Sequence, residues 1–184
     1  MVLTAYAAAR LPVSEDLLDA APQIIASMLA AGLDRNAMRW GTMVPEGGQA
    51  WALLAIAQPN RRTPVSGSAL GEYINDDDSE GHRKAAFLLA GLAGLGRLEP
   101  STITSSESQL GINFNRQSAW TRKIDRAAEL NNPTLVALLA GLGMQGNGWD
   151  KMTARNLYHI VRGLNRVGLS AEARMVAAEA VARG

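Results

Sequence analysis

Apolar positions along this chain recur at helical rather than alternating spacing. Ile24, Ile25, Met28 and Leu29 mark one face of a helix over residues 22–31, and Gly32 is placed to stop it in the left-handed conformation. Upstream, residues 2–10 form a short helical stretch of small side chains. Ser14 then stands as an N-cap, with Glu15 and Asp16 in the first turn. Asp34 is placed to cap a helix that carries Trp40. Residues 49–58 (QAWALLAIAQ) are apolar nearly all round, the pattern of a buried helix, and Pro59 closes it. Ser79 is expected to cap a strongly apolar helix that runs through Leu95 and stops at Gly96. Residues 117–130 are amphipathic, with Trp120, Ile124, Ala127 and Ala128 inward, and Pro133 opens the helix TLVALLAGL. Thr153 caps a helix that Gly168 ends, and Ser170 is placed to cap the last one.

Two segments interrupt this rhythm. Residues 60–81 are polar and hold the run Asn75-Asp76-Asp77-Asp78, and residues 97–115 are rich in serine and threonine around TITSSESQ. Both are expected to be irregular, with a short helix near residues 69–74 in the first. Segments of this kind are often functional or mobile.

An apolar helix that ends in a Gly-Leu pair recurs at 29–33, 89–95, 138–142 and 165–169. Helix, glycine stop, turn and second helix is the pattern of stacked helical hairpins. Leu164-x3-Gly168-x3-Glu172-Ala173, followed by Ala177 and Ala180, resembles the centre of a tetratricopeptide repeat. The resemblance covers one repeat. It implies close packing of two antiparallel helices and, for the family, peptide or protein binding. In composition the chain also resembles Ala-rich bacterial proteins, a likeness that implies no activity. The fold expected is all-α: one domain over residues 1–184, an irregular stack of about seven to nine helices, solenoid-like or bundled. The apolar, poorly capped start VLTAYAAAR suggests that this is the C-terminal part of a longer chain.

Composition narrows the function classes. Net charge is +1, so no general attraction to nucleic acid is expected. Cysteine is absent, which removes disulfides, thiolate nucleophiles and Cys-type zinc sites. That fits a reducing compartment, the cytoplasm ahead of the periplasm. No apolar run reaches the roughly 20 residues of a membrane span. No cofactor is indicated.

Candidate chemistry is sparse. Asp76-x-Asp78-x-Glu80-Gly81 resembles the opening of an EF-hand loop, but Lys84 and Phe87 stand at the ninth and twelfth positions, so a helix-capping acidic turn is the better reading. Glu107-Ser108 with Gly143-Met144-Gln145 resembles motifs of lytic transglycosylases, which implies a glycan-cleaving alternative with Glu107 as the acid. The motifs are much further apart here than in that family, and an exposed loop acid is the plainer reading. His82 and His159 lack neighbouring ligands in sequence, so no metal site is expected. The glycine-rich GMQGNG at 143–148 lacks the Lys-Ser/Thr of a P-loop.

The best-defined surface pattern is a basic stripe. Arg155, His159, Arg162 and Arg166 follow i, i+4, i+7, i+11 spacing and share one helix face, opposite Leu157, Ile160, Val161 and Leu164. Such a stripe can grip carboxylates, and arginine does so in bidentate fashion. A solvated outer face is the competing reading. The expectation is therefore a non-enzymatic module that binds or scaffolds a protein or peptide, acidic in character. A purely structural capping domain is the third reading.

Overall fold

A computed structural model describes residues 2–146 and 148–184. The described residues form eleven α-helices and no strand. These are α1 (Ala5–Ala8), α2 (Ala21–Ala30), α3 (Asp34–Met38), α4 (Gln49–Ala57), α5 (Gly67–Asp76), α6 (Arg83–Gly94), α7 (Pro100–Leu110), α8 (Ala119–Glu129), α9 (Pro133–Gly143), α10 (Ala154–Arg166) and α11 (Ser170–Arg183). The all-α expectation holds, with more helices than the seven to nine expected. None of the described helices is long and apolar enough to cross a membrane.

The architecture is built around α6 and α10, which pack on each other. From Phe87 to Leu95 every residue of the α6 segment is buried. α11 lies against both of these helices and reaches α4 and α2, while the α8–α9 hairpin packs on α10. Gly91 and Gly94, which break the apolar run in sequence, are what allow this closeness. A methyl group on Gly94 would sit 2.9 Å from Cβ of Val161, and one on Gly91 would sit 3.0 Å from that of Ala177. Small residues at such crossings bring helix axes together, and a larger side chain would have to displace a stiff neighbour.

Several caps follow the sequence. Thr153 Oγ1 accepts from the Asn156 amide at 3.2 Å. Ser118 and Thr121 form a reciprocal box at the start of α8, and Asn132 Oδ1 accepts from the Leu135 amide at 3.0 Å. Others do not. Ser170 lies inside α11 and its hydroxyl donates to Asn165 Oδ1 at 2.8 Å. Asp34 is the first residue of α3 rather than its cap, and Ser14 makes no capping bond. The helix expected to begin after Ser79 begins at Arg83, because Gly81 and His82 adopt left-handed backbone conformations. Two side chains still close its amides: Ser79 Oγ accepts from Lys84 N (3.0 Å) and Asp77 Oδ2 from Ala85 N (2.7 Å).

Neither long segment is irregular throughout. The first contains α5, capped by Ser66 and buried along Ala69, Leu70, Tyr73 and Ile74. The second contains α7, opened by Pro100 and ended by Gly111 in the left-handed region. Only Ser106 of α7 is buried, so this helix has almost no apolar face to advertise itself.

A hydrogen-bonded chain ties α5 through α4 to α11. The Tyr73 hydroxyl donates to Gln49 Oε1 (2.5 Å), and Gln49 Nε2 donates to the Val181 carbonyl (3.1 Å). Burial, and secondarily the charge of Asp77, pushes the Tyr73 pKa well above the ordinary tyrosine value. An acid with a raised folded pKa gives stability that is full below the unfolded pKa, about 10, and that is lost as pH rises beyond it. Tyr73→Phe should cost about 1 kcal/mol near neutrality. It should then close that gap by up to about 1.4 kcal/mol per pH unit above pH 10. Urea unfolding of both proteins at about pH 8 and about pH 11 measures this, and a gap independent of pH would refute it.

Candidate functional site

The helix wheel of α10 places its basic residues together, but the surrounding fold separates them. Arg162 and Arg166 are exposed and Arg155 is half-buried. His159 is only 2% exposed. It sits at the edge of the stripe, where α8 and the segment after α7 fold over it. Its Nδ1 lies 2.9 Å from Asp125 Oδ1 and its Nε2 lies 3.2 Å from the Phe114 carbonyl oxygen. The stripe therefore loses its histidine to the interior. Arg162 lies over the Tyr158 ring at 5.9 Å, and Tyr158 in turn stacks on Phe114 at 4.5 Å. The exposed part of the stripe thus comes down to Arg162 and Arg166, about one turn apart.

Glu107 has a structural partner. Its Oε1 accepts from the Phe114 amide at 2.6 Å. In the acidic turn both oxygens of Asp77 accept from backbone amides, those of Ser79 and Ala85. Among the described residues, no group of three or more His, Cys, Asp or Glu side chains is placed to hold a metal ion. Asn147 of the GMQGNG segment lies outside the described residues.

A different surface stands out on α9. The helix buries only Val136 and Ala140. Leu135, Leu138 and Leu142 are 39%, 69% and 53% exposed, and Leu130, just before the helix, is 62% exposed. The three helical leucines follow i, i+3, i+7 spacing, so they form a single ridge. Exposed Thr134, Ala137 and Gly141 lie beside them and leave room for close approach. From Leu130 to Trp149 the chain carries no charged residue. The other arm of the hairpin supplies charge, since its exposed side chains include Arg122, Lys123 and Arg126 against the single acid Glu129.

This ridge was not among the residues singled out from sequence. An apolar helix reads as core, and only the long absence of charge hints otherwise. No protein-family model, no curated protein and no solved structure matches the chain.

Proposed function

We propose that this chain is a non-catalytic protein-binding module whose α9 ridge docks an amphipathic helix with acidic flanks. The carrying observation is the row Leu135, Leu138 and Leu142, open to solvent in a stretch without charge. Contiguous exposed apolar surface of this kind marks interaction sites, and a leucine row at helical spacing suits a helix laid along it. The neighbouring cations of α8 select the partner's charge. Arg122 and Lys123 would pair with an acidic flank, Arg126 being paired with Glu129 at 3.1 Å, whereas a second copy of this chain would bring the same basic surface. The resemblance of residues 164–180 to the centre of a tetratricopeptide repeat, which implies peptide or protein binding, agrees with a binding role without locating it.

The test is a titration of isotope-labelled protein, followed by amide resonances. The probes are synthetic amphipathic helices with leucines at i, i+3 and i+7, one flanked by glutamate and one by lysine. The glutamate-flanked probe should shift α9 resonances and bind at least about tenfold more tightly than its lysine twin. Leu138→Glu, a surface change, should abolish the shifts while leaving the thermal melt intact. Equal binding of both probes would remove the charge selection. Concentration-dependent mass in sedimentation, lost in Leu138→Glu, would assign the ridge to self-association instead.

A further inference from the structure

Apart from the α9 ridge, the molecule has a concave site. It is a cleft of about 370 Å³ between α2, α4 and α11, with Met144 and Trp149 also in its lining. Alanine dominates its walls, with Ala26 and Ala30 from α2, Ala57 from α4 and Ala178 from α11. Side chains this short leave volume that none of the helices fills. Apolar clefts of this size with few polar groups are the usual form of small-molecule sites.

The polar groups at its rim are four, and they differ in how well they are matched. Arg183 and Glu179 form a close pair at 2.6 Å. Arg174 is left short of acceptors. Its Nη1 donates to the Ser170 carbonyl at 3.1 Å, its Nη2 comes no closer than 3.8 Å to Asp34, and its Nε is buried with no partner. Nε and Nη2 form the side-on edge of a guanidinium, the edge that binds a carboxylate with two parallel hydrogen bonds. Glu179 is taken up by Arg183, which leaves Asp34 as the one acid near Arg174 at the rim.

We infer that this cleft binds a medium-chain carboxylate, its alkyl chain among the alanines and its head group on the Nε–Nη2 edge of Arg174. The volume fits. A cleft of about 370 Å³ lies within the roughly 300–1,000 Å³ of small-molecule sites, at the small end that suits a medium-chain acid. The carboxylate would supply the acceptors that Asp34, at 3.8 Å, does not. This site is separate from the α9 ridge and stands or falls independently of it.

Calorimetric titration of the whole chain with decanoate and with decan-1-ol tests the inference. Decanoate should bind at one site, more tightly than the alcohol. Arg174→Met should weaken decanoate by about tenfold or more and leave decan-1-ol unchanged. Asp34→Asn removes the competing acid and should tighten decanoate severalfold, a result that does not depend on how Arg174→Met folds. Ala30→Phe, which fills the cleft, should abolish binding of both probes. No binding by the folded wild type, equal affinity for acid and alcohol, or unchanged binding in Ala30→Phe would each overturn it.

Discussion

Arg97→Ala should lower the unfolding free energy by about 3 kcal/mol, one of the two largest effects expected for a single side chain here. Arg97 is buried, yet no carboxylate faces it. Its guanidinium instead closes the end of α4. Nη1 donates to the carbonyls of Ala55 (2.6 Å) and Ile56 (2.7 Å), and Nη2 donates to that of Gln58 (2.6 Å). These are carbonyls that the end of a helix leaves without amide partners, at the negative pole of its dipole. Three bonds to a charged donor are worth about 1.5–3 kcal/mol each in net terms when taken singly. The cost is visible in the Arg97 pKa, pulled down to about 10 by burial first and by Arg174 and Arg61 after it. A fall from 12.5 to about 10 corresponds to roughly 3 kcal/mol of penalty on the charge. The bonds outweigh the penalty, and the prediction lies below their sum because all three share one side chain.

Arg97→Lys separates bonding from charge. A lysine carries the charge as one compact point and cannot reach three carbonyls spread along the helix end, so it should recover at most about a third of the loss. Urea denaturation of the two variants checks this. Full recovery by lysine would show that charge at the helix end, rather than the planar fork, is what α4 requires.

Much of the fold was legible in the residues because caps and periodicity agreed. For α4, α6, α8 and α10 the apolar pattern and the stop signals pointed to the same elements, and the structure has them. The segment that became α7 failed that test for a physical reason. PSTITSSESQL offers only Ile103 and Leu110 as apolar positions, and the helix lies on the surface. Its punctuation, Pro100 before and Gly111 after, was present but had no periodicity to delimit. The basic stripe was legible only in part, for a different reason. Helical spacing locates side chains on one helix, but which part of that face stays open depends on neighbours far away in sequence. Asp125 and Phe114 cover His159 and leave Arg162 open. The leucines of α9 show the converse, since leucine spacing alone does not tell whether a partner helix belongs to the same chain.

His159→Ala should cost about 3–4 kcal/mol and release the segment from Gly111 to Ser118. Both ring nitrogens of His159 face acceptors, the carboxylate of Asp125 and the carbonyl of Phe114. Phe114 is therefore held on both sides of its backbone, with its amide on Glu107 and its carbonyl on His159, while its ring stacks on Tyr158. Two residues that stood out in the sequence as candidate chemistry, Glu107 and His159, thus clamp one residue of one segment. Removing the imidazole leaves a cavity and strands the Asp125 carboxylate, whose side chain is 16% exposed. Asp125→Asn combined with His159→Ala should cost less than the sum of the single changes, because the stranded charge is gone. Hydrogen exchange distinguishes a local clamp from a general loss of stability. The amides of Phe114, Asn115 and Arg116 should lose protection in His159→Ala by a larger factor than those of α6. Uniform loss across α6 and the segment would show that His159 supports the core as a whole instead of fastening this segment to it.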